Sequence, residues 1–234
     1  MKDKSQNKLV KCLARIRNTA TLEADFETES IQDWPHKWEN NIITYSVIRG
    51  TEDIPREKPE HFAMNWAMTV WDVEIKSQLK YIPFDANNPP DITLEFRTSK
   101  HDELFRERPG TLAYAYFPGQ GDVSGIIVFN DDYIWGLAEG STPVTNPDGS
   151  ISNVKVYNIV HTLIHEIGHS LGLRHIEDCR KCVMYPFYND EVQLKPQEIL
   201  DIRKKYGSRL FRNWLRYKIL KFIIHKRIRG LKNG

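Results

Sequence analysis

The chain has 234 residues, with 33 Lys and Arg against 31 Asp and Glu and 40% hydrophobic residues. That is enough for one sizeable domain with short tails, at hydrophobic and charged fractions ordinary for a globular protein. No apolar run approaches the length of a membrane span, no internal repeat is present, and three cysteines are too few for a disulfide framework.

Residues 1–33 read as an N-terminal arm or short helix with a basic start, followed by the acidic stretch Glu23–Glu29. The start lacks the continuous apolar region of a signal peptide. Asn41–Ile48 is rich in β-branched and aromatic residues, as strands are. Pro55 precedes a helical stretch from about Glu57 to about Leu79, with Phe62, Trp66, Thr69/Val70 and Val73 at helical spacing. Residues 85–90 (DANNPP) form a turn-rich connection. Ile92–Phe96 alternates like a half-buried strand, and Thr111–Phe117 and Ser124–Phe129 are two more strands. Gly140–Ser152 reads as a loop by composition. A helix from about Val156 to Leu171 follows. Strands first and helices interleaved late predict an α+β fold with a mixed sheet and about three helices.

The last of these helices carries His165-Glu166-Ile167-Gly168-His169-Ser170-Leu171-Gly172-Leu173-Arg174-His175, an HExxHxxGxxH pattern. His165 and His169 are four residues apart, so both rings project from one helical face toward one ion. Glu166 stands beside the first ligand as a general base for water. Gly172 can take the left-handed conformation that ends a helix. The chain can then turn back and deliver His175. Three protein ligands leave a fourth position for water, the catalytic rather than the structural arrangement of zinc. A bare HExxH is moderately specific; the added glycine and third histidine make coincidence remote. Val183-Met184-Tyr185-Pro186 follows, placing Met184 where a methionine turn underlies such ligands.

These motifs resemble the catalytic domain of a matrixin, the matrix-metalloproteinase group of the metzincin zinc proteases. The resemblance extends to Trp38–Val47, Phe62–Asp72, Pro90–Phe96, Gly110–Gly119 and Leu194–Gly207, in family order. It implies a twisted mixed sheet whose antiparallel edge strand lies over the cleft. It implies a zinc-dependent endopeptidase domain over residues 34–207, with zinc on His165, His169 and His175 and Glu166 as base. It implies that Leu112 and Ala113 pair with an extended protein or peptide substrate by β-augmentation. Pro186 and Tyr188 match the segment that walls the specificity pocket, and His161 matches the position that sets its depth. A histidine there implies a shorter or more polar pocket; the alternative is a ring hydrogen-bonded along its own helix. The competing reading of the whole domain is a catalytically silent peptide- or partner-binding protein on the same scaffold. Extracellular action follows from the resemblance, against the missing signal peptide.

Several positions depart from the family pattern. The structural second zinc is expected to be absent. His101 with Asp102 or Glu103 could start it, but Tyr114 and an apolar residue near Val128 replace later ligands. Calcium is in doubt: Asp122, Asp131 and Asp132 remain, but Asn130 and Tyr133 stand where acids are expected. Cys12 is the one cysteine upstream of the site, and Lys11-Cys12-Leu13 lacks the arginine–cysteine–glycine switch pattern. It therefore reads as a small apolar residue rather than a latency switch. Cys179 and Cys182 leave a local disulfide and a pair of thiols equally open.

Residues 208–234 are basic without an acidic residue. Leu210, Phe211, Trp214 and Leu215 oppose Arg209, Arg212 and Arg216, as in a basic amphipathic helix. Docking on the net-acidic domain comes first among its roles, then an anionic membrane surface or an acidic partner. No nucleic-acid-binding motif is present, and the chain reads as a monomer.

Overall fold

The computed structural model describes residues 11–17, 24–26, 34–54 and 59–208. Most of the acidic stretch and the basic segment after Ser208 lie outside these residues. In chain order the elements are β1 (Lys11–Arg17), β2 (Ala24–Phe26), β3 (Ile42–Val47), α1 (Pro59–Asp72), β4 (Gln78–Tyr81), β5 (Ile92–Arg97) and α2 (Glu103–Glu107). After them come β6 (Thr111–Tyr116), β7 (Ile126–Asn130), β8 (Ile134–Gly136), β9 (Gly140–Thr145), β10 (Ile151–Asn158), α3 (Ile159–Ser170) and α4 (Pro196–Tyr206).

The main sheet has the order β2-β1-β6-β7-β5-β3-β4. Strands β4, β3, β5 and β7 run parallel, and β6 runs antiparallel to β7. Among the described residues this is the expected α+β fold, with three substantial helices and one short one. Beyond β6 the sheet continues: β1 pairs with β6 in parallel and β2 pairs with β1 antiparallel. The described part of the N-terminal arm is therefore strand, not helix.

The pleat of β5 turns Ile92, Leu94 and Phe96 into the main core with Ala113, Ala115, Ile127 and Phe129. Burying each large side chain stabilises the fold by ~1.5–3 kcal/mol. On the sheet's other face, Leu13, Tyr114, Tyr116 and Val128 pack against Leu104 and Phe105 of α2. Strand β6 is buried along its whole length because both faces are covered.

Three sequence expectations shift. The first helix ends at Asp72 rather than near Leu79, and residues 78–81 join the sheet beside β3. The Asp72 carboxylate accepts the Leu79 N–H at 2.8 Å, which fixes that exit. The face that α1 buries is Ala63, Met64, Ala67, Met68 and Trp71, while Phe62, Trp66 and Val70 flank it. The alanines let α1 approach α3 closely, and the Trp71 indole N–H donates to the Ile164 carbonyl at 2.9 Å. Residues 140–152 are not a loop but most of a hairpin, β9 and β10, turning through Asn146–Ser150. The side chains of residues 140–153 are exposed or half-buried, so this stretch has no apolar alternation to read. Strand β8 joins it in a second, three-stranded sheet.

Candidate metal centre

Helix α3 starts where Asn158 accepts the Val160 N–H at 2.8 Å, a side-chain cap. The Asn158 backbone N–H in turn donates to the Tyr188 hydroxyl at 2.9 Å. His165 and His169 follow one turn apart on a buried face. Gly168 between them has no room for a side chain: a Cβ there would meet Met184 Sδ at 2.3 Å and Trp71 Cζ2 at 3.0 Å. The helix ends at Gly172 with φ +90°, a conformation that favours glycine, and the chain returns His175 to the site.

The three rings converge. His169 Nε2 lies 3.0 Å from His165 Nε2 and 3.1 Å from His175 Nε2. His165 Nδ1–H donates to the Val183 carbonyl at 2.7 Å, and His169 Nδ1–H to the Leu173 carbonyl at 2.8 Å. A carbonyl only accepts, so both Nδ1 atoms carry the proton and both Nε2 atoms present lone pairs. Burial holds the His165 ring neutral, with its pKa pushed down to about 4. Burial, then the charges of His175 and His165, push His169 well down as well. Converging lone pairs on neutral rings repel unless a cation sits among them. With the second bond of each ring fixed to a carbonyl, the donor set fits zinc.

Glu166 is fully buried beside this cluster, and neither carboxylate oxygen makes a hydrogen bond of ordinary geometry. Burial raises its pKa well above the ordinary value, opposed by the nearby Cys12 thiol. A buried carboxylate with no donor but a thiol is costly unless a cation or a reacting proton uses it.

Beneath the histidines, Met184 is fully buried. Its N–H donates to Glu198 Oε1 at 2.7 Å, and its carbonyl accepts the Ile176 N–H at 2.9 Å. Glu198 Oε2 also accepts the Lys195 N–H at 2.7 Å, the back-reaching half of a capping box at the start of α4. Glu198 thus ties the last helix to the methionine turn. The sequence reading missed it, although Lys-Pro-Gln-Glu before an apolar run is a recognisable helix start. Cys179 and Cys182 form a disulfide within the loop between His175 and Met184, which resolves that open alternative.

Cys12 does not behave as an unconnected apolar residue. Its thiol, His165 and Glu166 offer atoms all within 4.8 Å of one another. Its backbone N–H donates to the Pro186 carbonyl at 3.2 Å, and β1 is registered on β6 with Cys12 opposite Ala113 and Leu13 opposite Tyr114. Strand β1 thus lies between β6 and Pro186, the two walls the resemblance assigns to a peptide. The sequence reading looked for a residue pattern around the cysteine. Main-chain pairing, which tolerates most side chains, is what brings Cys12 here.

Leu112 and Ala113 are buried in β6. His161 lies one turn before His165, with 14% of its side chain exposed and Nδ1 at 3.5 Å from Glu139 Oε1. Pro186 and Tyr188 are half-buried. The Tyr188 hydroxyl donates to Glu139 at 2.5 Å, and its ring meets Tyr157 edge-on. Glu139 follows β8 at the start of the added hairpin and carries no sequence signal of its own.

The residues at the family's other metal positions are engaged with protein partners. Asp102 accepts the Tyr114 hydroxyl at 2.7 Å and caps α2 through the Leu104 and Phe105 N–H groups. His101 Nδ1 is 3.1 Å from Thr98 Oγ1. Asp131 accepts the Thr51 hydroxyl, Asp132 accepts the Ser99 N–H, and the Tyr133 hydroxyl donates to the Pro109 carbonyl. Asp122 is exposed.

A family profile described as matrixin matches residues 37–207. Matrilysin of Felis catus is 33% identical over 179 residues, covering 74% of this chain and 61% of that protein. Matrilysin of Homo sapiens is 30% identical over 179 residues, covering 74% of this chain and 60% of that protein. Stromelysin-2 of Rattus norvegicus is 30% identical over 180 residues, covering 74% of this chain and 33% of that protein. The chain thus spans about 60% of the length of these matrilysins.

Proposed function

The chain belongs to the matrixin family of zinc metalloendopeptidases, and from that premise we propose that it hydrolyses peptide bonds in extended protein segments with Glu166 as general base. The convergence of three Nε2 atoms beside a buried Glu166 carries this reading. His165, His169 and His175 would hold the zinc, which supplies Lewis-acid polarisation of the scissile carbonyl and acidifies water. Glu166 takes the proton of the attacking water on a carboxylate oxygen and passes it to the leaving nitrogen. Its raised pKa suits a group that holds a proton between the two steps. Strand β6 aligns the substrate main chain at Leu112 and Ala113. Pro186, Tyr188 and His161 shape the pocket for the side chain next to the cleaved bond. The Cys179–Cys182 disulfide suits an oxidising compartment, in line with action outside the cell.

Strand β1 pairs with β6, the strand this reading gives to the substrate. On the same reading the chain is self-occupied, with β1 belonging to a pro-segment and Cys12 beside the base. The same self-occupancy would mask the catalysis of an intact enzyme.

The test is cleavage of an unstructured peptide library by the zinc-loaded chain carrying Cys12→Ser, beside the same chain also carrying Glu166→Ala. Turnover that disappears with Glu166 supports a zinc endopeptidase. Equal turnover by both, or none by either with zinc shown to be bound, refutes it.

A further inference from the structure

The added hairpin brings Glu139 to the specificity pocket, and we propose that this carboxylate selects substrates with a lysine or arginine side chain immediately after the cleaved bond. The inference rests on the endopeptidase reading and names the substrate class of that same site. Glu139 Oε1 touches the two pocket residues at once, Tyr188 through its hydroxyl at 2.5 Å and His161 Nδ1 at 3.5 Å. Its side chain is 40% exposed, so a carboxylate with about four acceptor sites keeps capacity for a further donor. Lys155 of β10 rests its ammonium over the Tyr157 ring at 4.7 Å and the Tyr188 ring at 5.0 Å, so these faces can hold a cation and a substrate cation reaching Glu139 has to displace that ammonium. A long apolar side chain reaching this depth would displace water from the carboxylate without replacing its hydrogen bonds. A long cationic one would replace them and pair the charge.

A purely structural role for Glu139 is separable from this one. Holding the Tyr188 hydroxyl needs only an acceptor oxygen, which Gln keeps, whereas selecting a cation needs the charge. Binding is measured by fluorescence anisotropy on the full zinc-loaded chain carrying Cys12→Ser and Glu166→Ala. Two peptides are compared that differ only in Lys or Leu after the scissile bond. The lysine peptide is expected to bind at least ~10-fold tighter, and Glu139→Gln to reduce that ratio to within ~3-fold. Glu139→Lys should move the preference to a glutamate peptide. Leucine binding as tightly as lysine, or a lysine preference that survives Glu139→Gln, overturns the inference and leaves the endopeptidase reading standing. Failure of both peptides to bind removes the cleft reading and this inference with it.

Discussion

Cys12 stands opposite Ala113 across a parallel strand pair, so the residue that should align a substrate main chain aligns the chain's own N-terminal arm. The Cys12 thiol is buried, and its pKa is raised by that burial and then by Glu166. It is held in place by neighbours on both sides. If the arm and a peptide compete for one groove, the apparent affinity for peptide falls by the fraction of time the groove is open. Replacing Cys12 with Ser weakens the arm's seat without touching β6. Initial rates of peptide cleavage should rise by roughly tenfold or more, an effect carried by opening of the groove. Unchanged rates at equal zinc content would show that the thiol does not hold the arm in the groove.

Gly168 and Met184 make a second contact that admits little change. A Cβ at Gly168 would stand 2.3 Å from Met184 Sδ, with Trp71 closing the other side. Met184 is pinned at its own backbone by Glu198 and Ile176. Gly168→Ala should therefore destabilise the domain by ~1–3 kcal/mol, as overpacking does. Because His165 and His169 flank the position, zinc affinity should fall as well. Thermal melts and competition with a chromogenic chelator check both parts. A variant with unchanged melting and zinc affinity would mean that Met184 yields freely.

The convergence of the three histidines was legible because its geometry is local: i, i+4 spacing and a helix-ending glycine fix three rings with little help from the rest of the chain. Strand β5 was legible for a similar reason, since its alternation is written in Ile92, Leu94 and Phe96. The misses depend on partners far along the chain. Residues 78–81 are strand because β3 lies beside them, and Cys12 is at the site because β6 is. The hairpin of β9 and β10 escaped because β9 and β10 up to Asn153 bury no side chain and so carry no apolar period. Glu139 escaped for the same reason, since only the fold of that hairpin brings it to Tyr188 and His161.

Asp102 ties α2 to the sheet by hydrogen bonds. It caps α2 through Oδ1, and its Oδ2 accepts the buried Tyr114 hydroxyl and lies 3.4 Å from Arg97 Nη1. Removing a cap costs ~1 kcal/mol, and orphaning a buried hydroxyl costs a further ~1–3 kcal/mol. Asp102→Ala should lower stability by the sum of these, about 2–4 kcal/mol. A calcium chelator should leave the melting temperature of the wild type unchanged. A clear drop with the chelator would place a bound calcium among these loops.

Glu166 gives a pH-dependent prediction whose sign is fixed by its raised pKa. In the unfolded chain the carboxyl titrates near its ordinary value of 4.5; in the folded chain burial raises it well above that. Below 4.5 the group is protonated in both states and costs nothing. As the pH climbs above 4.5 the unfolded chain ionises freely while the folded one resists, so metal-free stability falls until the folded value is passed. Glu166→Gln removes this loss and keeps the shape. The metal-free variant should melt like the wild type at pH 4 and above it at pH 8. The histidines titrate in both proteins and largely cancel in the comparison. Zinc should narrow or reverse the difference, because a cation beside the carboxylate favours its charged form. The variant should lose turnover by ~10²–10⁴-fold, the usual worth of a general base. Equal melting of the two metal-free proteins at pH 8 would mean that the carboxylate is solvated and that its burial beside Cys12 does not persist in solution.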